Sequence, residues 1–199
     1  MTSEIRELEV AMQRLERAVA RPSQTKYCLE LWSRFIRLRD GNRCVICDSE
    51  NRLSAHHILR KSFIPEAQFQ TGNGITLCVE CHGERHAGFN RRPDLSQPMD
   101  AENGEKIEVI TRFFQCLLED ATERSLLRDD FYFLSDQVLA KCKIFQGFDP
   151  TTPFKGSRIG QAYTIWIQTP QQTLNALLEA NGMKPKGAFH ADGFNICYE

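Results

Sequence analysis

Two Cys-x-x-Cys pairs constrain this 199-residue chain more than any other feature of its sequence. Cys44 and Cys47 form the first pair, and Cys78 and Cys81 form the second about thirty residues later. Cys-x-x-Cys is the shortest spacing that lets one tight turn aim two thiolates at one ion. The alternatives are two disulfides or four unrelated cysteines, but no secretory signal precedes the pairs, so we expect a reducing, cytoplasmic setting. The spacing therefore predicts one structural Zn²⁺ bound by these four residues.

Four of the five histidines lie in the same stretch of chain as the cysteine pairs. They are His56, His57, His82 and His86. A lone histidine is more often a structural residue, but a cluster of this kind is typical of metal and hydrolytic sites. Neighbours in a strand point to opposite faces, so His56 and His57 are predicted to have different roles. Residues four apart in a helix share a face, so His82 and His86 are suited to bind one ion or one phosphate.

Hydrophobic periodicity predicts an α+β fold. Around the cysteine pairs, the pattern favours a helix over 25–40 that ends at Gly41, a strand over 53–59 and a helix over 79–87. Beyond a polar segment rich in Asn, Pro and Asp, it favours further elements in a mixed α/β region. They are helices over 107–118 and 126–145, a strand over 159–167 and a final strand over 188–198.

The N-terminal segment 1–22 has the pattern of an amphipathic helix. Its apolar residues recur at alternating spacings of three and four, which forms a heptad seam. They are Ile5, Leu8, Met12, Leu15 and Val19. Because fewer than three heptads make a weak autonomous coiled coil, packing against its own domain is favoured, and a homodimer through this helix is the alternative.

Charge is distributed unevenly along the chain. Residues 21–92 hold twelve basic and seven acidic residues, whereas residues 93–199 hold ten basic and fifteen acidic ones. A local basic excess of this kind favours a phosphate-bearing partner, although a solvated mixed-charge surface is the alternative. The basic residues closest to the Cys/His motif are the predicted nucleic-acid contacts. They are Arg43, Arg60, Lys61, Arg85, Arg91 and Arg92.

The order of these residues resembles a known family. His56-His57, Asn73, His82 and His86 follow the HHxNxHxxxH pattern of the HNH (ββα-metal) endonucleases, and the flanking cysteine pairs resemble their zinc-ribbon subgroup. The resemblance covers residues 25 to 90. It implies a zinc-stabilised ββα-metal nuclease domain over 23–90, followed by a linker over 91–104 and a C-terminal α+β domain over 105–199.

The resemblance also implies a role for each motif residue. His57 would be the general base, and Asn73 would orient it through its side-chain or backbone carbonyl, although Asn73 also suits a turn. His56 and His82 would bind one divalent cation, which would be Mg²⁺, Mn²⁺, Ni²⁺ or Zn²⁺. His86 would be either a third ligand or a phosphate contact.

The function implied is metal-dependent hydrolysis of DNA that leaves 5′-phosphate and 3′-hydroxyl ends. Such an enzyme would act in restriction, in anti-phage defence or in phage DNA processing. The alternatives are a non-enzymatic zinc-ribbon module that binds nucleic acid or protein, and a nuclease subunit gated by a protein partner on residues 105–199. No apolar run approaches membrane-spanning length, so no membrane association is expected.

Overall fold

The computed structural model describes residues 3–21, 24–87, 105–168, 176–177, 179–182, 187–191 and 194–198. For residues 84–87 and the two C-terminal strands it describes the backbone alone. The predicted linker over 91–104 therefore lies outside the described residues. Among the helices described, none is both long enough and apolar enough to cross a membrane.

Two helices begin the fold and pack on each other. Helix α1 spans Ser3–Val19, and helix α2 spans Thr25–Arg39, close to the predicted bounds. Gly41 follows α2 with φ +71°, the left-handed conformation that commonly ends a helix. Leu8 and Leu15 of the heptad seam are buried in the core of the same chain. These two residues of the seam therefore pack within the chain, whereas Val19 is 43% exposed. The homodimer stays a prediction.

A hairpin and a short helix carry the cysteine and histidine motif. Strand β1 (Ser54–His57) pairs antiparallel with strand β2 (Gly74–Leu77), and helix α3 spans Val79–Ala87, the predicted range. His57 lies opposite Gly74 and His56 opposite Ile75. Because side chains alternate along β1, His56 and His57 point to opposite faces of the hairpin, as the sequence predicted.

Helices dominate the C-terminal part. Helices α4 (Ile107–Glu123), α5 (Asp136–Phe145) and α6 (Arg158–Ile167) are followed by an antiparallel hairpin of strands β3 (Gly187–Ala191) and β4 (Phe194–Tyr198). The described chain is therefore α+β. The final strand predicted over 188–198 is instead two strands.

Two other predictions for this part are wrong. Residues 159–167 form α6 rather than a strand, since Ile159, Ala162, Ile165 and Trp166 are buried together and Ser157 caps the helix by accepting from the Gly160 N–H at 3.3 Å. Tertiary burial here overrides the strand propensity of β-branched and aromatic residues. The helix predicted over 126–145 begins only at Asp136, because the preceding residues form turns that bond to another segment.

That segment lies at residues 70–74, between the His56-His57 pair and His82. Gly72 N–H donates to the Phe133 carbonyl at 2.9 Å, and the Phe133 N–H donates to Thr71 Oγ1 at 2.9 Å. Gln70 exchanges side-chain hydrogen bonds with Ser135. The buried apolar residues of both parts form one continuous core. The C-terminal part is thus directly attached to the loop that carries Asn73.

Replacing Gly72 with alanine is expected to destabilise this junction. A Cβ at Gly72 would lie 2.7 Å from the Tyr132 carbonyl oxygen and 2.8 Å from Leu134 Cγ, so backbone would have to move. We expect a loss of about 1–3 kcal/mol in the free energy of unfolding, measured by urea denaturation. Gly83→Ala is the control, because nothing lies within 4 Å of its Cβ position and alanine favours a helix. Equal midpoints for the two variants would contradict the close approach.

Candidate functional site

The four cysteines of the two pairs converge at one end of the hairpin. Their Sγ atoms all lie within 4.8 Å of one another, and the Cys47 Sγ is 3.7 Å from the sulfurs of Cys78 and Cys81. Zn–S bonds of about 2.3 Å in a tetrahedron give S···S edges of about 3.8 Å. The predicted cluster is therefore confirmed as a group that can hold a metal ion such as Zn²⁺.

Backbone geometry supports metal binding at this cluster. Asp48 adopts φ +60° and donates its N–H to the Cys44 carbonyl at 2.9 Å, which closes the first cysteine turn. Burial opposes ionisation of the Cys44 thiol, but backbone N–H groups of Cys78, Ile46 and Cys47 outweigh it and lower its pKa. Burial and the neighbouring sulfurs raise the pKa of Cys81. A divalent cation would offset the repulsion between four thiolates held this close.

His56 and His82 meet on the face of the hairpin that α3 covers. Their ring centroids are 4.9 Å apart and the rings are almost perpendicular. Phe113 of α4 packs edge-on against His56, with centroids 5.9 Å apart. Two of the three predicted ligands of the catalytic ion thus lie side by side, and His86, whose side chain is outside the described part, follows one turn later on α3.

His57 lies on the opposite face, against α2. Its ring stacks on the Trp32 indole with centroids 4.0 Å apart and planes 6° from parallel. His57 Nε2 is 2.9 Å from the Gln68 carbonyl oxygen. Because a carbonyl only accepts, Nε2 carries the proton, and the neutral ring keeps its lone pair on Nδ1. Burial, partly offset by the Gln68 carbonyl, lowers the pKa of His57, and the charge of Lys61 lowers it further.

Asn73 bonds to the backbone around it rather than to His57. Its Oδ1 accepts from the Leu59 N–H at 2.7 Å, and its Nδ2 donates to the carbonyls of Leu59 at 2.9 Å and Ala67 at 3.0 Å. The Asn73 carbonyl accepts from the Ile58 N–H at 3.0 Å. Asn73 therefore ties the residues after β1 to the start of β2, which agrees with its turn interpretation. The orienting carbonyl predicted for it belongs to Gln68.

Two of the six predicted nucleic-acid contacts are engaged within the protein. Arg43 forms ion pairs with Asp48 and Asp120, and Arg60 pairs with the buried Glu105. Lys61 is exposed. The side chain of Arg85 and all of Arg91 and Arg92 lie outside the described residues. Arg43 and Arg60 thus join the motif to the C-terminal part, a role that local sequence does not indicate.

Two residues near the motif were missed as functional candidates. Trp32 has no local signal of a functional role, because its stacking on His57 depends on a contact between distant segments. Arg39 is fully buried and donates to the carbonyls of Thr71 at 2.6 Å and Gly74 at 2.7 Å. Its position seven residues after Trp32, on the apolar stripe of α2, was a detectable signal, because a buried cation requires partners.

No model of a protein family, no curated protein and no solved structure matches the chain. Functional inference therefore rests on the motif and on the geometry described above.

Proposed function

We propose that the protein is a metal-dependent endonuclease of the HNH type that hydrolyses DNA phosphodiester bonds. The observation that carries the proposal is the meeting of His56 on β1 with His82 on α3, the residue that follows Cys81 of the four-cysteine cluster. An isolated zinc-binding module has no need of two adjacent imidazoles on the hairpin face. Restriction, anti-phage defence and phage DNA processing are the proposed settings.

His56 and His82, with His86, would hold the catalytic divalent ion. Imidazole nitrogens suit Mn²⁺, Ni²⁺ and Zn²⁺ better than Mg²⁺. When bound, such an ion supplies positive charge that stabilises the phosphate oxygens and the leaving O3′.

His57 would act as the base. It is the last residue of β1 and lies on the face opposite His56 and His82, so this role requires the phosphate to lie across the end of the strand. The Nδ1 of His57 takes a proton from a water molecule as the water oxygen attacks phosphorus. The P–O3′ bond then breaks, and the leaving O3′ takes a proton from solvent. The products are a 5′-phosphate and a 3′-hydroxyl. The lowered pKa of His57 favours this role because the imidazole stays neutral, and able to accept a proton, at neutral pH. Lys61 is exposed and lies four residues after His57, so it would contact the phosphate backbone of the DNA.

Replacing His57 with alanine is expected to abolish nicking of supercoiled plasmid. General acid–base catalysis contributes about 10²–10⁴-fold, so the nicking rate of the variant should be at least about 100-fold lower than that of wild type. The assay would compare zinc-loaded wild type and variant in Mg²⁺, Mn²⁺, Ni²⁺ and EDTA. His56→Ala should lose nicking and also weaken Mn²⁺ binding, measured by calorimetry.

His190→Ala is the matched control, since this histidine lies outside the 44–86 motif. It should nick like wild type, and every variant should keep the zinc of the four-cysteine cluster. DNA binding without nicking under any ion would favour the non-enzymatic module instead. Nicking by His57→Ala at the wild-type rate would refute the assignment of the base.

A further inference from the structure

Trp32 is held rigidly between α2 and the hairpin. The residue is 2% exposed, and its indole Nε1–H donates to the Gln70 carbonyl at 3.2 Å. On the β2 side the backbone touches the indole directly, because a Cβ on Gly74 would lie 2.7 Å from Trp32 Cζ2. Packing and the hydrogen bond together fix the plane of the indole.

The His57 ring takes its plane from this indole. The two rings lie 4.0 Å apart and within 6° of parallel, so tilting His57 would break the stack or force the buried indole to move. Rotation within the plane is limited separately by the Gln68 carbonyl, 2.9 Å from Nε2. The Trp32 stack fixes the plane of the imidazole and the Gln68 carbonyl fixes its rotation in that plane. Together they define the direction in which the Nδ1 lone pair points.

We propose that Trp32 is a positioning residue for His57, and that its indole is the platform that fixes the orientation of the Nδ1 lone pair toward the attacking water. The inference rests on the proposed role of His57 as the base. It also explains how the base is oriented although Asn73 bonds to Leu59 and Ala67. The residues that orient His57 are Trp32 from α2 and Gln68 from the segment between the strands.

The surroundings of His57 agree with this role. Burial is the main influence that lowers the pKa of the imidazole, and Trp32 covers one face of the ring. The charged group acting on His57 is Lys61, which lowers the pKa further. Removing the indole would free the imidazole to tilt out of the plane that the stack imposes, so the Nδ1 lone pair would lose its fixed direction.

Trp32→Leu and Trp32→Phe test the proposal, with Trp166→Leu as the matched control. Trp166 is equally buried but lies on α6, where its carbonyl accepts from Thr111 of α4. Side-chain ¹⁵N spectra of the full-length, zinc-loaded protein would report the tautomer of His57, with the signals assigned from His57→Gln. Plasmid nicking would be measured in parallel as kcat and KM across pH.

We expect wild type, Trp32→Phe and Trp166→Leu to show a single Nε2–H tautomer of His57. In Trp32→Leu the two ring nitrogens should approach averaged shifts, and kcat should fall about 10- to 100-fold with little change in KM. Should Trp32→Leu fail to fold, Trp32→Phe still decides. Its ring lacks the hydrogen bond to the Gln70 carbonyl, so kcat should fall with little change in KM, whereas Trp166→Leu should keep the wild-type kcat.

A single tautomer in Trp32→Leu, or a wild-type kcat in the Trp32 variants that fold, would overturn the positioning role. Absence of nicking by wild type would instead defeat the proposed function. The tautomer measurement needs no catalysis, so the two failures are distinguishable.

Discussion

Cys44→Ser is expected to release zinc and to destabilise the fold more than any substitution outside the four-cysteine cluster. Serine is a poor ligand for Zn²⁺, and Cys44 is completely buried, with its N–H donating to the Ser49 carbonyl and its carbonyl accepting from Asp48. Structural zinc contributes about 10–16 kcal/mol in zinc-finger peptides, comparable with the whole stability of a domain. The cysteine turn, β2 and the start of α3 should therefore lose their packing together.

Zinc content and urea denaturation would measure this result. Cys44→Ser should bind one zinc per chain fewer than wild type and unfold at a much lower urea concentration. Cys116→Ser is the control, because Cys116 is half-buried on α4 and lies apart from the four-cysteine cluster. Full zinc and an unchanged midpoint in Cys44→Ser would show that the cluster is not a structural zinc site.

Arg39→Met is expected to cost about 3–5 kcal/mol in the free energy of unfolding. Both Arg39 and its ion-pair partner Asp40 have no exposed side-chain surface, and Nε lies 2.7 Å from Asp40 Oδ1. Methionine fills much of the same volume but leaves the Asp40 carboxylate buried without its cation. The carbonyls of Thr71 and Gly74 would lose their guanidinium donors as well. Burial by itself would lower the pKa of Arg39, but Asp40 and other neighbours raise it, so the group is charged throughout the accessible pH range.

Arg34→Met on the exposed face of the same helix is the matched control. Surface substitutions of this kind usually change stability by less than about 0.5 kcal/mol. Urea denaturation at pH 7 would compare the two variants, and Asp40→Asn combined with Arg39→Met should recover part of the loss because it removes the unpaired charge. Similar midpoints for Arg39→Met and Arg34→Met would refute the buried network.

These interactions also bear on the suggestion that a partner gates the nuclease through residues 105–199. Arg39 Nη1 lies 3.4 Å from the Phe131 carbonyl, and Gly72 bonds to Phe133, so the C-terminal part contacts the loop between the strands directly. Deleting that part would expose one side of a shared core. We therefore expect truncation to unfold the chain rather than to release an active nuclease, and the gating interpretation stays a prediction that needs the intact protein.

Local chemistry explains which parts of the fold were predictable. The bounds of α2 and α3 follow from apolar spacing, a left-handed Gly41 and the helical register of the motif, all of which act within a few residues. Helix α6 was mispredicted because its β-branched and aromatic residues favour a strand locally. Their burial against α4 and α5 decides the helix, and that information lies in distant segments.

In the candidate site, too, local geometry made some features predictable, and others depend on residues distant in the sequence. Cysteine spacing was sufficient to predict the metal cluster, because a Cys-x-x-Cys turn orients its own two thiols. The split of His56 and His57 to opposite faces also followed from strand geometry. The roles of Arg43, Arg60 and Asn73 did not follow, since each depends on partners from other parts of the fold.

By itself, the sequence determined the ligands, the short elements that carry them and the alternation that separates the two histidines, because these depend on bond geometry within one turn or strand. Only the tertiary structure decided that Trp32 and Gln68 surround His57, that Arg39 links the hairpin to the C-terminal part, and that Arg43 and Arg60 pair with carboxylates of that part. The physical reason is that stacking and buried ion pairs join residues far apart in the chain, and their partners are chosen by the packing of the whole core.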